Sequence, residues 1–202
     1  MSSSVIFVGL LIGFLALSCA QLLPLEEENY ETLTGRISAK VLAKMVEQAS
    51  SNTLLTKFSA IELKGLNLTG VIPEELGNLT QLEKIDFTRN YISGSIPASL
   101  SRSPIRFLYL LGNRLSGLIP SGDFTLLREL DLKDNQFEGP LPLNLGRLTQ
   151  LERILLSGNN FTGTIPESYR NLKNLIDFRI GGSQLSGKIP EFIGNWSKLQ
   201  KL

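Results

Sequence analysis

Residues 82–97 read LEKIDFTRNYISGSIP, and the rest of the chain is organised as copies of this stretch. Asn90, Gly94 and the Ile96-Pro97 pair return as Asn113, Gly117 and Ile119-Pro120, then as Asn135, Gly139 and Leu141-Pro142. They recur once more as Asn159, Gly163 and Ile165-Pro166. Two weaker copies flank these, with Leu66 and Ser183 at the Asn position but Gly70, Ile72-Pro73, Gly187 and Ile189-Pro190 in place. Successive prolines stand 24, 23, 22, 24 and 24 residues apart. Self-similarity at such a period marks a solenoid, in which each unit buries its apolar edge only against its neighbours.

Each repeated position has a physical role. Alternation over residues 84–89 sends Ile85 and Phe87 inward and their neighbours to the opposite, concave face. Strands are therefore expected at 61–63, 85–87, 108–110, 130–132, 154–156 and 178–180, side by side in a parallel sheet. The asparagines Asn90, Asn113, Asn135 and Asn159 turn inward after each strand, where an amide satisfies backbone groups left open by the bend. Gly94 permits a tight passage, and Pro97 suits an extended or turn segment outside that sheet. These residues build the stack and are not assigned chemistry. The consensus LxxLxLxxNxLxGxIPxxLGxL resembles the leucine-rich repeat in its plant-specific form. That resemblance implies an α/β solenoid, a horseshoe or superhelix with a parallel concave β-sheet and a helical N-terminal cap.

Outside the repeats, residues 5–17 are an apolar run followed by Ser18-Cys19-Ala20. The run is short for a membrane span, and small residues there suit signal-peptidase cleavage. Residues 1–20 therefore read as a signal peptide, although no Lys or Arg precedes the run; an uncleaved anchor is the alternative. Cys19, the single cysteine, leaves with it. Residues 21–60 do not follow the repeat and read as an N-terminal cap segment. Glu26, Glu27 and Glu28 form a solvated acidic run within it. Over 38–48, Val41, Leu42, Met45 and Val46 fall at helical spacing, so an amphipathic helix is expected to cover the open end of the first repeat. Residues 61–202 hold six repeats and the start of a seventh.

Composition narrows the function. With 42% hydrophobic residues, 19% charged residues and a net charge of +1, nothing argues for nucleic acid or an anionic membrane as partner. There is no histidine, so His-based triads and His metal sites are excluded, and no cysteine follows residue 20. No phosphate-cradling glycine motif occurs, and carboxylate pairs such as Asp131 and Asp134 have no accompanying catalytic groups. The expectation is a chain that is not an enzyme and uses no cofactor or metal.

The concave face is where a partner is expected. Read across the stack, Ala60, Lys84, Phe107, Glu129, Arg153 and Asp177 form one outward row, and Glu62, Asp86, Tyr109, Asp131, Leu155 and Arg179 the next. Phe107, Tyr109 and Leu111 are expected to face solvent at the third repeat, bordered by Glu129, Asp131, Lys133 and Arg153. An apolar centre with a charged rim is the anatomy of a protein interface. A one-residue register error, which would bury the three, is the competing account. Glu129, Arg153 and Asp177 form a charge ladder whose plain role is to stabilise the sheet. Four sequons place N-glycosylation at Asn67, Asn78, Asn160 and Asn195.

Segments such as GLNLTGVIPEELGNLTQLEKIDFTRNYISGSIP, NNFTGTIPESYRNLKNLIDFRI and LSGKIPEFIGNW resemble plant leucine-rich-repeat receptor-like serine/threonine kinases, nearest the group with a malectin-like domain before the membrane. The resemblance implies an extracellular horseshoe that senses a protein or peptide ligand or a co-receptor kinase and signals to a cytoplasmic kinase. It implies the secretory pathway and the extracellular face of the plasma membrane, with membrane contact only through downstream segments. The family's cap cysteines and tryptophan are absent from residues 21–60. A malectin-like domain, membrane span and kinase are also missing, so an ectodomain fragment, truncated isoform or incomplete gene model is expected. The alternative is a free secreted repeat protein of the apoplast, such as an inhibitor of a microbial wall-degrading enzyme.

Overall fold

A computed structural model describes residues 59–120, 122 and 124–202. The expected signal peptide and the expected cap helix over 38–48 lie outside these residues. The apolar positions of every unit meet in one core, which includes Leu63, Ile85, Phe87, Leu108, Leu110, Leu130, Leu132, Ile154, Leu156 and Phe178. These positions lie in, or directly after, six short strands: β1 (Ala60–Glu62), β3 (Lys84–Asp86), β5 (Phe107–Tyr109), β7 (Glu129–Asp131), β9 (Arg153–Leu155) and β11 (Asp177–Arg179). They pair in parallel in the order β1-β3-β5-β7-β9-β11. Each strand begins one residue earlier than the alternation suggested. The register across the stack is that of the expected rows: Lys84 lies opposite Phe107, Phe107 opposite Glu129, and Glu129 opposite Arg153.

A second six-stranded parallel sheet, not foreseen from the sequence, runs along the side of the stack. It comprises β2 (Thr69–Val71), β4 (Tyr91–Gly94), β6 (Arg114–Gly117), β8 (Gln136–Pro140), β10 (Asn160–Gly163) and β12 (Gln184–Leu185). The L-x-G of each repeat falls within these strands or overlaps them. The glycine is required there because the backbone turns left-handed, with φ of +76° at Gly94 and +79° at Gly163. Five of the repeated prolines then lead directly into short 3-10 helices: Glu74–Asn78, Ala98–Arg102, Leu143–Arg147, Glu167–Asn171 and Glu191–Asn195. The fixed proline φ, between −66° and −63° at Pro73, Pro97, Pro142, Pro166 and Pro190, sets the entry to each.

Aromatic side chains fill the wider parts of the core. Phe137 and Phe161 stack in successive units with centroids 6.4 Å apart. Towards the last unit, Phe178 meets Trp196 edge-on at 5.1 Å, and the Trp196 Nε1–H donates to the Tyr169 carbonyl at 3.2 Å. Each fully buried large side chain of this kind contributes about 1.5–3 kcal/mol.

Candidate recognition surface

The frame beneath the concave face is held by the asparagine ladder. Asn113 illustrates it: Nδ2 donates to the Phe87 carbonyl at 2.9 Å and to the Leu110 carbonyl at 3.0 Å, while Oδ1 accepts from the Ile92 N–H at 3.1 Å. One amide thus ties its own strand, the preceding strand and the preceding side strand. Asn90, Asn135 and Asn159 repeat the pattern, and all four are buried, as the inward reading required. The concave strands are in this way fixed to their neighbours at the four steps from β1 to β9, whereas the step from β9 to β11 has Ser183 at the asparagine position.

On the face itself, Phe107 and Tyr109 sit in β5, with ring centroids 6.4 Å apart. Phe107, Tyr109 and Leu111 lie on the outward side, in the expected register, and are half-buried. The cause is lateral crowding. Lys84 Nζ lies 5.8 Å above the Tyr109 ring, and the Tyr109 hydroxyl donates to Glu129 Oε2 at 3.0 Å. Leu155, expected in the outward row, is 4% exposed, and Asp177 only 2%.

The charges around this centre form one continuous chain. Lys84 pairs with Glu62 at 2.8 Å, and Arg153 Nη1 donates to Glu129 Oε2 at 3.2 Å. Arg153 also reaches Asp177 at 3.6 Å, and Arg179 Nε donates to Asp177 Oδ1 at 2.8 Å. The expected Glu129–Arg153–Asp177 ladder is present, and it extends through Tyr109 to Lys84 and Glu62. The sequence rows held the signal for that extension, since Glu62, Lys84 and Tyr109 fall on neighbouring positions. Burial and the bond to Glu129 push the Tyr109 hydroxyl well above the usual tyrosine range, so it stays a donor. Burial also raises the Asp131 carboxyl, and the Lys133 N–H, donating at 3.1 Å, works against that rise. Lys133 Nζ stands 3.9 Å from the same carboxylate.

The four sequon asparagines Asn67, Asn78, Asn160 and Asn195 are exposed, and none lies on a concave strand. Asn160 opens β10 on the side sheet, while Asn78 and Asn195 end 3-10 helices on the outer side.

A family model described as Leucine Rich Repeat matches residues 81–103, 126–148 and 150–172. The structure also aligns with the crystal structure of a Pollen Receptor Kinase 3 at a TM-score of 0.64 and 32% identity, covering 71% of this chain and 71% of that one. The chain belongs to the leucine-rich-repeat family. Its repeats are homologous to those of plant leucine-rich-repeat receptor-like kinases and receptor-like proteins. The LRR ectodomain of the Arabidopsis thaliana receptor kinase GASSHO1/SCHENGEN3, solved with CASPARIAN STRIP INTEGRITY FACTOR 2, aligns at a TM-score of 0.72 and 35% identity over 73% of this chain and 18% of that one. The Arabidopsis receptor kinase HAESA, in complex with the peptide hormone IDA and the co-receptor SERK1, aligns at 0.57 and 29% over 67% of this chain and 27% of that one. In sequence, the Arabidopsis thaliana protein named Probable LRR receptor-like serine/threonine-protein kinase At1g53430 is 56% identical over 56 residues, 28% of this chain and 5% of its own length. Receptor-like protein 35 from the same plant is 39% identical over 88 residues, 43% of this chain and 9% of its own. This leucine-rich-repeat chain thus spans a small part of the curated relatives it matches.

Proposed function

We propose that this chain is the extracellular recognition module of a plant receptor-like kinase of the malectin-like group, and that it takes a protein or peptide ligand on its concave face. The observation that carries the reading is the half-buried Phe107–Tyr109–Leu111 centre, set in a sheet whose surrounding charges are already paired with one another. A centre of that kind offers a partner apolar area at little desolvation cost, while Glu129, Asp131, Lys133 and Arg153 supply orientation at the rim. The HAESA complex, with its peptide hormone and co-receptor, supports a peptide ligand and a co-receptor kinase as the classes of partner. N-glycans at Asn67, Asn78, Asn160 and Asn195 would leave the concave strands uncovered, which suits an extracellular binding face.

The test is to express the chain with its native downstream sequence in plant cells, recover the bound partner by co-purification and measure its affinity for wild type, Tyr109→Ala and Arg153→Ala. If Tyr109 anchors the contact, Tyr109→Ala weakens binding by about 1–3 kcal/mol with an unchanged fold, and Arg153→Ala weakens it less. Unchanged affinity in both variants overturns the assignment of this face.

A further inference from the structure

One row at the edge of the concave sheet departs from the rest of the repeat. Its six residues, Gly65, Arg89, Gly112, Asp134, Gly158 and Gly182, all have left-handed backbone, with φ of +68°, +56°, +68°, +53°, +71° and +72°. Four of the six are glycine, which adopts this conformation without strain, and aspartate tolerates it better than most residues, whereas Arg89 has no such freedom. The alternation has a steric basis. A Cβ at Gly112 would lie 3.6 Å from Arg89 Cγ, and one at Gly158 would lie 2.5 Å from Asp134 Oδ1. Each charged side chain therefore lies over the glycine of the next unit. Both Arg89 and Asp134 are exposed. Among the described residues, neither side chain makes a hydrogen bond or ion pair, in contrast to Lys84, Glu129, Arg153, Asp177 and Arg179 nearby.

Left-handed backbone retained at an arginine where glycine would fit, in a row whose two exposed charges have no partner among the described residues, marks a place where the side chains serve something other than the fold. The two charges are opposite in sign and two strand spacings apart, about 10 Å, and Leu111 lies between them in the adjoining row. An extended peptide covers that span in about three residues. We infer that Arg89 and Asp134 are a pair of specificity-determining residues that select an extended peptide segment bearing a carboxylate for Arg89 and, three residues away, a cationic group for Asp134. This inference rests on the concave-face reading above and adds the charge pattern of the ligand.

The experiment presents the immobilised full chain with a bead-displayed library of short random peptides and sequences those retained. Wild type should enrich peptides with an acidic and a basic residue three apart, in one N-to-C order. Glycine fits the left-handed backbone at both positions, so Arg89→Gly and Asp134→Gly should melt close to the wild-type temperature or above it, while their enrichment for that pattern falls about tenfold. The double exchange Arg89→Asp/Asp134→Arg should reverse the order of acid and base in the retained peptides. If peptides are retained in a Tyr109-dependent manner but their charge pattern is the same for wild type and both glycine variants, this inference is overturned and the concave-face reading stands. A marked drop in melting temperature for the glycine variants would also overturn it, by showing that the two residues serve the stack. Retention no better than on a blank surface would overturn both.

Discussion

The amide of Asn135 makes four bonds in a buried site: Nδ2 to the carbonyls of Leu110 at 2.9 Å, Leu132 at 3.2 Å and Lys133 at 3.1 Å, and Oδ1 from the Leu115 N–H at 3.0 Å. Asn135→Ala leaves the Leu115 N–H without its partner, while the Leu110, Leu132 and Lys133 carbonyls keep their bonds from Asn113, Asn159 and the Gly112 N–H. It should cost about 1–3 kcal/mol in chemical denaturation; an unfolding curve equal to wild type would contradict the ladder's role. Tyr169 presents the opposite case, since it is fully buried in the core and its hydroxyl has no partner among the described residues. Tyr169→Phe removes that orphan at almost constant volume and should raise stability by about 1 kcal/mol, read from the same measurement. The asparagine positions were legible because they recur with the same spacing from each proline. The burial of Tyr169 was not, because it stands where Leu76, Leu100 and Leu145 stand in other units and carries a polar group that no neighbour answers.

At the level of elements, the concave strands could be read from side-chain alternation, whereas the side sheet and the 3-10 helices could not. The side strands are 2 to 5 residues long, and their pairing is a main-chain matter, as in the 2.8 Å bond from Tyr91 N to Leu68 O. Short glycine-containing segments of that kind read as loops until neighbouring units supply the partner. The 3-10 helices pack in the same unit-to-unit way, and their glycines report it. A Cβ at Gly146 would run into the Ser168 carbonyl of the next unit, while one at the equivalent Gly194 meets nothing within 4 Å. Gly146→Ala should therefore lose about 1–3 kcal/mol, and Gly194→Ala should be close to neutral. Equal losses in the two variants would mean that outer-side packing does not limit how closely the units approach.

Across the whole molecule, the stack joins local units through one core and one concave charge network, so a change at the centre of the face is felt through neighbours on both sides. Asp131 offers a pH test of that crowding. Its carboxyl is raised by burial, so the folded state holds the proton more tightly than the unfolded chain does. Ionisation therefore weakens folding at neutral pH, and the penalty disappears as pH falls below about 4, where the unfolded chain also takes up the proton. Asp131→Asn keeps an oxygen to accept the Lys133 N–H. It should melt above wild type at neutral pH, the gap closing in acid; a gap that widens on acidification would reverse the assignment. The rows that line up Phe107, Tyr109, Glu129 and Arg153 were readable from the repeat alone, because parallel register follows once the period is known. Their half-burial was not, because it depends on how Lys84 lies over the Tyr109 ring and Glu129 accepts from its hydroxyl. Whether this face receives the partner is tested most directly by amide hydrogen exchange on the full chain, with and without the partner recovered by co-purification. Slowed exchange centred on residues 107–111 and 129–133 is the predicted result, with the 3-10 helices Glu74–Asn78 and Leu143–Arg147 unchanged. Slowing confined to those helices, with 107–111 unaltered, would contradict the account.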